Sequence, residues 1–77
     1  MRPDSLNDRL AYRRHVGEQI RNRRLAANLT QQALAESAGL EKQAISHIEN
    51  GHASPRLDTV WRLAQALGVG VADLVRE

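Results

Sequence analysis

Apolar residues along this chain recur at spacings of three and four, the period of a helix, and no alternating strand pattern, internal repeat or low-complexity segment appears. The first such segment spans about Asp8 to Ala27, with Val16 and Ile20 facing inward and Leu25 as a third candidate. The second ends near Ala38 and puts Leu34, Ala35 and Ala38 on one face. A third, Glu41 to Asn50, supplies Ile45 and Ile48, with Leu40 just before it, as the complementary surface. Leu57, Val60, Trp61, Ala64 and Leu67 then recur at i, i+3, i+4, i+7 and i+10, which makes a fourth amphipathic helix with Trp61 filling core. Val71 to Arg76, carrying Leu74 and Val75, is a short fifth. The pattern predicts an all-α domain of five helices.

The residues between these segments suit helix ends. Ser5-x-x-Asp8 is a candidate start for the first helix. Gly17 interrupts that helix at a cost of about 1 kcal/mol relative to alanine. Asn28 tolerates the left-handed conformation that ends a helix, and Thr30 suits an N-cap, its hydroxyl accepting from a backbone N–H a turn later. Gly39 falls where the turn between the second and third helices needs a positive φ. Ala35 has almost no side chain, so a second helix can cross closely there. The stretch from Thr30 to Gly51 therefore reads as helix, tight turn, helix. Gly51 and Gly68 stop the third and fourth helices, and Pro55 discourages helix across His52-Ala53-Ser54.

That unit resembles the helix-turn-helix of the phage-repressor and Cro-type (XRE) DNA-binding family. The likeness includes Leu29-Thr30-Gln31, Ile48-Glu49-Asn50-Gly51, Pro55 with Leu57, and the run Leu63-Ala64-Gln65-Ala66-Leu67-Gly68-Val69, and covers about Val16 to Val75. The resemblance implies a five-helix lambda-repressor-like DNA-binding domain over residues 15–77, with the helix-turn-helix at helices 2 and 3. The family's first helix would begin near His15, leaving residues 1–14 as an arm or a helix extension. Where the family often has an apolar residue this chain has Arg23, whose alkyl stem would cover core while its charge reaches water. Glu41 is a departure, because a serine or threonine usually caps the recognition helix there. Its carboxylate either caps the helix, favoured by about 0.3–1 kcal/mol at the positive end, or accepts from a cytosine N4.

Composition narrows the alternatives. Seventy-seven residues hold one small domain with a thin core. With no cysteine there is neither disulfide nor thiolate metal site. No apolar run approaches the roughly 20 residues that cross a bilayer and no signal-peptide core is visible, so a soluble, cytoplasmic protein is expected. The net charge of +2 says little, but its distribution says more. Residues 1–28 hold seven arginines against three acids, for +4, and the remainder holds four cations against six acids, for −2. A basic amino end suits a first helix that faces a polyanion, or simply a solvated arginine-rich surface.

A helix-turn-helix lays its second helix in the major groove, where residues near its amino end reach base edges. With Ile45 and Ile48 turned inward, Lys42, Gln43, Ser46 and His47 share the outward face. Gln43 leads the base-reading set, since its amide matches adenine N6 and N7 for about 1–3 kcal/mol of discrimination. Lys42 can donate to guanine or phosphate, Ala44 can meet a thymine methyl, and His47 can meet base or phosphate. By resemblance, Gln31 joins this set as a base, phosphate or supporting contact, and can brace Gln43. The plainer alternative for both glutamines is an ordinary solvated side chain, which the motif disfavours for Gln43. Phosphate candidates are Thr30, Gln32, Asn50, His52 and Arg56, with Arg13, Arg14 or Arg21 from the first helix. The resemblance also implies an ion pair of Arg24 with Glu49, tying the first helix to the end of the third.

Enzyme chemistry is not expected. His47 and His52 are five residues apart across a helix stop, a poor metal pair. Ser46, His47 and Glu49 form no triad, since neighbours on a helix diverge by about 100°. No glycine-rich phosphate loop or paired-carboxylate cleft is legible, and no cofactor or metal is expected. The sequence points to a sequence-specific regulator of transcription that binds double-stranded DNA. Its expected form is a homodimeric repressor joined through its C-terminal helices on a palindromic operator. The alternative is a protein-interaction module or antitoxin-type partner on the same fold, which the apolar tail and Glu41 keep open.

Overall fold

In the structure, a computed structural model that describes residues 6–76, the five apolar segments are five helices, with no strand among the described residues. They are α1 (Leu6–Ala26), α2 (Gln31–Ala38), α3 (Lys42–Glu49), α4 (Leu57–Leu67) and α5 (Val71–Val75). The candidate helix start at Ser5 lies outside the described residues. From Leu6 onward α1 is unbroken, so residues 6–14 continue the helix rather than forming a separate arm. Local chemistry sets the joints. Asn28 takes a φ of 59° after α1. Thr30 accepts at its hydroxyl from the Ala33 N–H at 3.0 Å. Gly39, at φ 70°, turns the chain between α2 and α3.

Val16 and Ile20 of α1, the Leu34–Ala35–Ala38 face of α2, Ile45 and Ile48 of α3, Val60, Leu63 and Ala64 of α4, and Leu74 of α5 form one buried cluster. The α4 stripe differs from the one read in the sequence. Leu57 and Trp61 lie outside, 76% and 55% exposed, while Leu63 is fully buried. At 100° per residue the buried stripe is centred near Val60, and Trp61 falls roughly 110° from that centre. Leu25 is likewise exposed, since it lies about 140° around α1 from Ile20. The Arg23 side chain is half exposed, with the guanidinium 4.0 Å from Asp73.

Gly17 has a reason that the sequence did not give. α1 crosses the end of α3 there, and a Cβ on Gly17 would overlap the Ile48 carbonyl oxygen and sit 3.0 Å from that of Glu49. The missing side chain lets the two backbones touch. Upstream of this crossing α1 also holds the far end of the chain. The Tyr12 hydroxyl donates to the Val75 carbonyl at 3.2 Å. His15 Nε2 meets the Arg76 carbonyl at 2.6 Å, and must donate because a carbonyl only accepts. These bonds dock α5, whose five residues are too few for a stable isolated helix.

Gly17→Ala should therefore destabilise the domain by about 1–3 kcal/mol through overpacking, read as a lower urea midpoint. Helix propensity alone would raise stability by about 1 kcal/mol, so a raised midpoint would contradict the crossing.

Candidate nucleic-acid interface

The α2–turn–α3 unit presents one polar surface. Ile45 and Ile48 are 0% and 4% exposed, pinning α3 to the core by its inner face. Lys42, Gln43 and His47 are exposed on the other side, with Ala44 and Ser46 half-buried between them. Glu41 stands at the N-cap position with extended backbone, yet its side chain accepts no bond from the helix. The capping hydrogen bond considered for Glu41 is thus absent. Its extra methylene makes it a poorer fit than the shorter serine, threonine or aspartate side chains that favour this position. The carboxylate stays exposed beside Lys42.

Behind this surface lies a buried ionic junction. Arg24 Nε donates to Glu49 Oε2 at 2.7 Å and its Nη2 to Oε1 at 3.1 Å, the two-point geometry of a guanidinium on a carboxylate. The side chains are 10% and 2% exposed. Arg24 Nη1 donates to the Leu29 carbonyl at 2.8 Å, and Gln31 Nε2 donates to Glu49 Oε1 at 3.1 Å. One carboxylate therefore gathers the end of α1, the start of α2 and the end of α3. No buried side-chain polar atom among the described residues lacks a partner. Gln31 braces Glu49, not Gln43: a buried carboxylate with an open lone pair is a stronger acceptor than an exposed amide.

The phosphate candidates border the same surface in two groups. At the start of α2, Thr30 is committed to its cap, and Gln32 donates to Glu36 at 2.9 Å. At the end of α3, Asn50 donates to the Ser46 hydroxyl at 3.4 Å. In the following loop the Ser54 hydroxyl accepts from Arg13 Nε of α1 at 3.0 Å, and the exposed Arg56 lies 3.7 Å from Asp58. Arg14, Arg21 and Asn50 line an open groove between α1 and the end of α3.

His47 and His52 come near each other across the end of α3. Their rings lie 6.4 Å apart, because the helix stop that separates them also folds the chain back. The His52 N–H donates to the His47 carbonyl at 2.9 Å across Gly51, at φ 73°. No third histidine or carboxylate completes a metal-binding group with them among the described residues. The loop contacts of Arg13 and Arg14 were beyond sequence reasoning, since they follow from where α1 crosses α3. The mid-helix glycine was the one trace of that crossing.

Two short helices joined through a left-handed glycine, the second held by two isoleucines with its polar side outward, define a helix-turn-helix protein. The chain belongs to the HTH_3 helix-turn-helix family, of the XRE type, which matches residues 20–74. It is 36% identical over 63 residues to an uncharacterised HTH-type transcriptional regulator, y4dJ, of Sinorhizobium fredii, covering 82% of each chain. It is 38% identical over 58 residues to the cryptic phage CTXphi transcriptional repressor RstR of Vibrio cholerae, covering 75% of this chain and 52% of that protein. The chain thus spans only about half of that repressor. Among solved structures it is similar to the restriction-modification controller protein C.AhdI from Aeromonas hydrophila. The TM-score is 0.81 at 30% identity, over 83% of this chain and 97% of that one.

Replacing one member of a buried ion pair leaves the other charge unpaired in low dielectric. Glu49→Ala should cost about 3–5 kcal/mol in urea unfolding. A loss below about 1 kcal/mol, the range of a surface pair, would contradict this burial.

Proposed function

We propose that the chain recognises a specific double-stranded DNA sequence through α3 and acts as a homodimeric transcriptional repressor in the cytoplasm. DNA binding and regulation of transcription are properties of its family. The base-reading assignment, the dimer and the repression are the reading offered here. Its main support is the division of α3 into a buried isoleucine face and an exposed Lys42–Gln43–His47 face. Eight residues at 1.5 Å each make α3 about 12 Å long, and a helix of ordinary diameter enters the major groove.

In this reading Gln43 reads adenine through its paired donor and acceptor. Lys42 supplies a point charge to guanine or phosphate, and His47, Ser46 and Ala44 complete the groove contact. Gln31, held by Glu49, contributes its remaining amide atoms at the edge of the groove. Thr30, Gln32, Asn50, His52, Arg56, Arg14 and Arg21 hold the backbone without selecting sequence. The exposed Leu57 and Trp61, one turn apart on α4, support self-association through the C-terminal helices. A twofold dimer would meet two half-sites about 34 Å apart, hence a palindromic operator. Likeness to a phage repressor favours repression over activation. The same exposed Trp61 also suits a second reading, a protein-interaction or antitoxin-type module, in which it meets a different protein.

With about six phosphates contacted, log K should fall against log salt with a slope near −5, in titrations of random-sequence duplex. Salt-independent or undetectable binding would remove the DNA reading. In selection from a random pool, Gln43→Ala should relax preference at one base pair, while Lys42→Ala should weaken all sequences alike. A loss of selectivity confined to Lys42→Ala would reverse those roles.

Sedimentation equilibrium tests the assembly. The wild-type chain should be a dimer, and Trp61→Ser should weaken self-association by about tenfold or more, as for an interface anchor. A wild-type chain that stays monomeric with duplex bound would leave Trp61 to the protein-partner reading.

A further inference from the structure

Within the upstream half of α1, Arg13 and Arg14 are phosphate candidates and Tyr12 and His15 dock α5, while Arg9 has so far been given no role. The family match begins at residue 20, whereas α1 begins at Leu6, so more than three turns precede the matched segment. The close approach at Gly17 fixes where these turns run, because α1 crosses the end of α3 there. Upstream of it, Arg14 packs against Gly51, and Arg13 donates to the Ser54 hydroxyl at 3.0 Å. The helix extension therefore leaves the core beside the 51–56 loop, which follows the recognition helix and carries His52 and Arg56.

Its charge is one-sided. Residues 6–14 hold Arg9, Arg13 and Arg14 against one acid, Asp8. Arg9 is exposed and stands four residues before Arg13, on the same face of the helix. At 1.5 Å per residue it lies about 6 Å further out along the axis. Arg9, Arg13 and Arg56 thus make a cationic rim with His52 among them, and Asp58 beside Arg56 at 3.7 Å is its other acid. None of these four side chains lies on the outward face of α3, so the rim stands apart from the residues assigned to base reading.

We propose that residues 6–14 form a second phosphate-binding surface. In it, Arg9 and Arg13 grip the backbone of the duplex beside the segment met by α3, adding affinity and footprint but no sequence selection. This rests on the DNA reading above. Arg9 is the new contact, and Arg13 acts both on the phosphate and as the side chain that orients the loop. The extension would let a small domain, with little surface for affinity, hold DNA more tightly than its helix-turn-helix alone.

The test uses the full chain and a random-sequence duplex of about 30 base pairs, some three helical turns, titrated at several salt concentrations. Arg9→Gln and Arg13→Gln should each make the log K–log salt slope shallower by about 0.9, one phosphate's share. Base preference in a random-pool selection should stay unchanged. Arg23→Gln removes the same charge from the same helix, but about 21 Å further along its axis than Arg9, where the guanidinium lies 4.0 Å from Asp73. It should leave the slope where it was. Slopes equal to wild type in Arg9→Gln would overturn the proposal, whatever Arg13→Gln does to thermal stability. An equal change in Arg23→Gln would reduce the effect to net charge and overturn it as well. Failure of the wild-type chain to bind duplex would instead defeat the DNA reading itself, and the extension's role with it.

Discussion

The Arg24–Glu49 pair is the junction on which the placing of α3 and its polar outer face depends. Burying two charges costs several kcal/mol per ion, and an apolar pair of the same volume often does as well for stability. What the ionic junction adds is direction. A guanidinium offers donors in a fixed fork, and here the fork spans Glu49 and the Leu29 carbonyl while Gln31 takes a further place on the carboxylate. The end of α1, the entry to α2 and the exit of α3 are thereby set against one another. The angle at which α3 presents its outer face is fixed from both ends, by this junction and by the Gly39 turn.

The rest of the chain serves that presentation. Ile45 and Ile48 hold α3 by its inner face, and the Gly17 crossing brings the α1 backbone against the α3 carboxyl end. α4 and α5 close the core from the other side through Val60, Leu63, Ala64 and Leu74. α5 is short enough to need Tyr12 and His15 on its last carbonyls, which makes the extended first helix a structural part of the domain as well as a basic one. A thin core of aliphatic side chains thus supports the polar outer face of α3.

Much of this was legible in the sequence because it follows local rules. Thr30 as a cap, Asn28 and Gly39 in left-handed conformations, and the inward isoleucines each depend on neighbours within a turn or two. The misses are tertiary. Trp61 and Val60 both fit a period of three to four, and only packing decides which edge of α4 is covered; Leu63, missing from the predicted stripe, was the better guide. Glu41 occupies the cap position without making the cap bond, because position is local while reach depends on side-chain length. The family resemblance suggested that Gln31 braces Gln43, but a buried carboxylate eighteen residues away is its partner. That the helix stop between His47 and His52 folds one ring back to 6.4 Å from the other was not legible either.

The central claim is that the outer face of α3 meets the duplex. Backbone amide shifts in a heteronuclear NMR titration, with a duplex selected from a random pool, test it most directly. The largest changes are predicted at Lys42 to His47, with smaller ones at Thr30 to Gln32 and Asn50 to Arg56. Largest changes in α4 and α5, with the amides of α3 unmoved, would contradict it.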